Sequence, residues 1–141
     1  MRAGTVLDEA TDTIIDWSTF GTVRAELGPN FVRILGYFRE DGEKSVARIE
    51  EAMHARNAAA MVLPAHTMKS EARQFGAVPL GDIAEEIEAA ARHAIEIRAF
   101  PDEVLPQVAK LRPLYEQTIS LLEQRANPLM SRRPAAFGRR G

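Results

Sequence analysis

Residues 65 to 77 read Ala-His-Thr-Met-Lys-Ser-Glu-Ala-Arg-Gln-Phe-Gly-Ala. At about 100° per residue, an α-helix lines up Met61, Ala65, Met68, Ala72 and Phe75 as one apolar stripe. His66, Lys69, Ser70 and Arg73 stand at i, i+3, i+4 and i+7 and form a separate polar stripe. Such a helix buries one side and shows water an imidazole flanked by two cations. Histidine ordinarily titrates near pH 6.5, so its neutral ring is a nucleophile at about pH 7. A phosphoryl group on that nitrogen leaves readily, which suits an intermediate that must be passed on. Lys69 is one turn away and offsets the negative charge, about −2 for phosphorylated hydroxyls. Each exposed cation contributes about 1 kcal/mol or less, enough to bias binding and too little to drive phosphorylation alone.

The other candidate chemistries lack parts. His54 and His93 have Asn57 and Glu96, not lysine, three residues on, and are read as structural or surface residues. A carboxylate-bridged metal in a helix bundle needs two Glu-x-x-His copies, and Glu51-Ala-Met-His54 is one without a second. No Gly-x-Ser-x-Gly turn, Gly-rich phosphate loop or Asp/Asn cluster for ATP and magnesium occurs. With no cysteine, thiolate nucleophiles, disulfides and cysteine zinc sites are excluded. No metal or cofactor is expected on this chain.

The 141 residues fit one domain, and a hydrophobic content of 45% allows a real core. Strand-like alternation is missing, whereas Ala, Glu, Arg and Leu favour helix. No apolar run approaches the roughly 18 to 20 residues of a membrane span, and Met1 to Asp12 lacks a secretory pattern. A cytoplasmic monomer is expected. The formal charge of −2 hides an asymmetry, since Arg125, Arg132, Arg133, Arg139 and Arg140 occur in a stretch with no acid. The body is therefore acidic, which argues against nucleic acid as its partner.

Periodicity predicts the elements that must hold the polar stripe. Ser18 is expected to cap a short helix ending near Leu27, where Gly28 stops it and Pro29 starts the next. Phe31, Ile34, Leu35, Phe38, Val46, Ile49 and Met53 carry that second helix to about Ala55, with Gly42 costing it about 1 kcal/mol relative to Ala. The motif helix spans about Asn57 to Phe75, with Gly76 at its C-terminal cap. Pro64 means that it either bends one turn before His66 or begins at the proline. Leu80 to Ile97 and Val104 to Leu122 supply two more helices, the last kinked at Pro113. Short connections favour antiparallel neighbours. The expected fold is all-α, an up-down four-helix bundle with a short additional N-terminal helix. Residues 1–16 are expected to be loosely ordered, 17–125 to form the bundle and 126–141 to form a basic flexible tail.

The motif resembles the core of histidine-containing phosphotransfer (HPt) domains. That family shows a histidine, a lysine three residues on, a small residue next, and a hydrophobic-Gly pair near the helix end. Here these positions read His66, Lys69, Ser70 and Phe75-Gly76. Leu80, the Ile87-Glu88 pair and the stretch Phe38-Arg39-Glu40-Asp41 also match, so the resemblance covers about Trp17 to Leu122. One departure is Ser70, where the family usually has Gly; serine is small and can donate a hydrogen bond to a phosphoryl oxygen. The resemblance implies a carrier without catalysis of its own. His66 would take phosphate from a receiver domain, typically of a hybrid histidine kinase, and pass it to that of a response regulator. The receiver would supply the aspartate and the magnesium. Arg73 would add electrostatic support. Val62, Leu63 and Gln74 are the candidate partner contacts, in a transient interface on the order of 1,200 Å² or less. The alternative is a phosphorylation-independent adaptor or inhibitor that binds a receiver or kinase through the same face.

Overall fold

In the computed structural model, residues 13–126 are described, and their regular elements are all helical. The leading residues 1–12 and the basic stretch after Ala126 lie outside the described residues. A short helix α1 (Trp17–Leu27) precedes four long ones: α2 (Phe31–His54), α3 (Ala58–Gln74), α4 (Val78–Glu96) and α5 (Leu105–Ala126). The α3–α4 contact is the most extensive, followed by α2–α3. Contacts of α5 with both α2 and α4 close the ring. The architecture is the all-α four-helix bundle with a short leading helix that the periodicity predicts.

The cap of α1 differs from the expectation. Asp16, not Ser18, is the N-cap, and its Oδ1 accepts from the Ser18 and Thr19 amides at 3.1 and 3.4 Å. A carboxylate at this end also meets the positive pole of the helix dipole, which a serine hydroxyl does not match. Thr19 Oγ1 donates to the other oxygen, Oδ2. Ile15, within the segment expected to be loosely ordered, is fully buried. The Asp16 amide donates to the Gly76 carbonyl at 2.8 Å, which ties the leading segment to the end of α3.

Pro64 and Pro113 both sit inside unbroken helices. The motif helix starts at Ala58, where Asn57 Oδ1 accepts the Ala60 amide, so it does not begin at Pro64. Each proline removes one backbone bond, to the carbonyl four residues back. Those carbonyls belong to Ala60 and Ala109, both exposed residues, where water can replace the lost donor.

Aromatic rings run through one end of the bundle. Phe20 meets Phe31 edge-on, Phe31 meets Phe75 edge-on, and Phe38 stacks on Phe75 with centroids 5.4 Å apart. Phe75 therefore anchors the end of the motif helix to α2, and Phe31 carries the ring contacts on to Phe20 of α1. Gly76 follows at φ 81°, and a Cβ there would lie 2.6 Å from the Asp16 carbonyl oxygen, so only glycine fits this cap. Ala65 and Ala72 of α3 and Ala84 and Ala91 of α4 are all fully buried, and the contact between the two helices is the most extensive in the bundle. Small side chains let the two helices approach closely, and α4 thereby comes within reach of the polar stripe on α3.

Candidate functional site

The apolar stripe of α3 is buried as predicted: Met61, Ala65, Met68 and Ala72 are all at 0% exposure. This burial fixes the rotation of the helix, so His66 must face outward on the α4 side. Its ring is 50% exposed. Lys69 lies on the same side with 23% of its side chain exposed, and Ser70 is exposed beside it.

What joins these groups is Glu88, from α4. Its side chain is only 7% exposed. Oε2 lies 3.1 Å from His66 Nδ1, and Oε1 lies 2.8 Å from Lys69 Nζ. Arg92, one turn further along α4, donates through Nε to Oε2 at 3.0 Å and places a second guanidinium nitrogen 2.9 Å away. One carboxylate thus meets an imidazole, an ammonium and a guanidinium. Burial alone would raise its pKa, but hydrogen bonds from Lys69, Arg92 and His66 outweigh that and hold the carboxyl at about 2. Glu88 is therefore an anion at neutral pH, and His66 Nδ1 carries its proton toward it. That tautomer leaves the Nε2 lone pair on the other side of the ring.

Arg73, expected to add electrostatic support, is paired with acids of α4. Its guanidinium is 3.2 Å from Asp82 and pairs more tightly still with Glu85, both on α4. Its stem lies across Gly81, where a Cβ would meet Arg73 Cγ at 2.9 Å. The charge is thus compensated by two acids, which reduces what it adds at the imidazole. Of the expected partner contacts, Leu63 is 70% exposed one turn before His66, Gln74 is exposed near the end of α3, and Val62 is half-buried against the core.

Glu88 and Arg92 are the residues that the spacing argument on α3 did not single out. A signal for Glu88 does exist in the sequence. Gly81, Ala84, Glu88 and Ala91 follow a 3-4-3 spacing, so an acid interrupts a stripe of small buried residues. A buried acid needs a cationic partner, and Lys69 is the one the facing helix offers. His54 and His93 are both exposed; His93 Nδ1 is 3.9 Å from Glu96. Among the described residues, no three His, Asp or Glu side chains cluster to hold a metal ion.

Comparison with known proteins bears on this arrangement. The family described as Hpt domain matches residues 33–126, which contain all of the site. The crystal structure of histidine-containing phosphotransfer protein B (HptB) from Pseudomonas aeruginosa PAO1 superposes with a TM-score of 0.71, at 20% sequence identity, over 79% of this chain and 93% of that one. At that identity the likeness concerns the fold. No curated protein matches.

Proposed function

We infer that this chain, which belongs to the Hpt domain family, is a phosphoryl carrier of a multistep phosphorelay whose accepting atom is Nε2 of His66. The observation that carries this reading is the half-exposed imidazole whose Nδ1 is engaged by Glu88 at 3.1 Å. The hydrogen bond orients the ring and directs the reactive lone pair outward. In uptake, that lone pair attacks the phosphorus of an aspartyl phosphate on a receiver domain, and the phosphorus–oxygen bond to the carboxylate breaks. Transfer to a second receiver reverses the step. The chain orients and holds the group. The receiver's aspartate and the magnesium bound there supply the catalysis, in keeping with a family of carriers rather than catalysts.

Lys69 stands one turn from the imidazole, where its ammonium can turn from Glu88 toward a phosphoryl oxygen. Ser70, small and exposed, leaves a receiver loop room to approach and offers it a hydroxyl. Leu63 and Val62 supply the apolar centre of the contact, and Gln74 a polar contact at its rim. Among the described residues no helix is long and apolar enough to cross a membrane.

Incubation with a phosphorylated receiver domain tests this reading. The carrier gains acid-labile phosphate as the receiver loses it. A chain that binds the receiver with His66 unmodified is an adaptor, and the carrier reading fails.

A further inference from the structure

Orienting His66 does not require a charge opposite it. A backbone carbonyl or an amide oxygen would accept the Nδ1 proton as well. The structure instead places an ionised carboxylate there, 7% exposed and itself held by Lys69 and Arg92. We propose, resting on the reading of His66 as phosphoacceptor, that Glu88 makes phospho-His66 a ready donor by keeping the Nδ1 proton on the phosphorylated ring, so that transfer releases a neutral imidazole.

The argument concerns the leaving group. With phosphorus on Nε2 and a proton on Nδ1, the ring is cationic. When the phosphoryl group departs, the phosphorus–Nε2 bond breaks, its electron pair stays on Nε2, and Nδ1 keeps its proton. A neutral imidazole remains, and the phosphoryl group passes to a carboxylate oxygen of the receiver or to water. If Nδ1 has lost its proton first, the same cleavage must expel an imidazolate, a far poorer leaving group. An anion 3.1 Å from Nδ1 favours the proton-bearing ring and extends its range to higher pH. In uptake the same contact acts in reverse, as counter-ion to the cation that forms.

The surrounding charges leave this role to Glu88. From α3, Lys69 faces the ring but is itself held on Glu88, and Arg73 is compensated by Asp82 and Glu85 of α4. Arg92 of α4 is tied to the same carboxylate oxygen as His66. On the other helices, the ion pairs of Arg39 with Glu123 and of Arg112 with Glu43 and Glu50 join α2 to α5. Among the described residues Glu88 is the anion in contact with the imidazole.

The test loads the protein with phosphoramidate, from which His66 Nε2 takes the phosphoryl group as ammonia leaves, and follows phosphohistidine loss by phosphorus NMR across pH. The wild type should hold a steady rate through neutral pH and slow only in alkali. In Glu88→Gln the amide oxygen still accepts the Nδ1 proton but carries no charge, and the slowing should begin at lower pH. At about pH 8 its phosphohistidine should outlive the wild type's roughly tenfold, the factor one pKa unit represents. Glu88→Asp keeps the charge and should track the wild type, whereas a purely structural role would make Asp and Gln alike. Superimposable wild-type and Gln profiles overturn the proposal. Should the Gln variant not fold, nitrogen NMR titration of phosphorylated wild type decides. Loss of the Nδ1 proton at a pH above that of free phosphohistidine supports the proposal, and loss at the same pH overturns it. A wild type that takes no phosphate defeats the phosphoacceptor reading instead.

Discussion

His66 Nδ1 and Glu88 Oε2 lie 3.1 Å apart across the α3–α4 seam, although 22 positions separate them in the chain. The contact should be visible in the acid dependence of stability. Glu88 is held at about 2, below its ordinary 4.5, because the hydrogen bonds from Lys69, Arg92 and His66 outweigh the effect of burial. A depressed folded-state pKa gives stability that is complete above about pH 4.5 and is lost as pH falls toward 2. Glu88→Gln lacks this pH-dependent contribution. Urea unfolding of both proteins should show their stability difference shifting against the wild type, by on the order of 2 kcal/mol, between about pH 5 and pH 2. A difference that stays constant over that range contradicts the placement of Glu88.

Glu71 predicts the opposite slope. Burial raises its pKa, and the charge and hydrogen bond of Asp41 add to that, bringing it to about 7. Its Oε1 is buried without a hydrogen-bond partner. A carboxyl raised in the folded state stabilises at low pH, and that contribution is lost as pH rises from about 4.5 through 7. Glu71→Gln should remove this dependence and raise stability at about pH 8 by roughly 1 kcal/mol. Thermal melts at about pH 5 and pH 8 measure it, and a wild type equally stable at both contradicts the assignment.

Gly42 should resist replacement. Read from helix propensity alone, Gly42→Ala gains about 1 kcal/mol. In the fold, however, a Cβ there would run into the Tyr115 ring at Cε1, and the Tyr115 hydroxyl donates to the Arg39 carbonyl. The ring must move and give up that bond. The expected outcome is a net destabilisation of about 1 to 3 kcal/mol in denaturant unfolding. A stabilised variant would show that the ring has room.

The contrast between these residues explains what was legible in the sequence. The spacing of Met61, Ala65, Met68 and Ala72 determines which side of α3 is buried, so the outward direction of His66 and Lys69 could be read from one helix. Glu88 shows in the sequence as the acid within the small-residue stripe of α4, but its pairing with His66 and Lys69, and the fit of Tyr115 against Gly42, depend on which helices become neighbours. Periodicity within one segment carries no such information. Arg73 lies between the two cases. Its face was predictable, but its pairing with Asp82 and Glu85 follows from the α3–α4 packing. The Asp16 cap is not decided by local sequence: Ser18 and Asp16 are both good N-caps, and Asp16 is the one whose amide docks on the Gly76 carbonyl.

Lys69→Ala should slow phosphoryl uptake from a receiver without unfolding the domain. The side chain is partly exposed, and Arg92 continues to compensate Glu88 when it is gone. A loss of up to about fivefold in transfer rate is expected, as for one partly screened charge contact of about 1 kcal/mol. Rates equal to wild type would remove Lys69 from the site.

The central claim is that the phosphoryl group sits on residue 66, and mapping the modified residue by mass spectrometry under alkaline conditions tests it most directly. After incubation with a phosphorylated receiver, the label should be found on His66, with none on His54 or His93, and His66→Gln should stay unlabelled while keeping its helical spectrum. Acid-labile phosphate on folded His66→Gln, or a label mapped to either other histidine, would contradict the account.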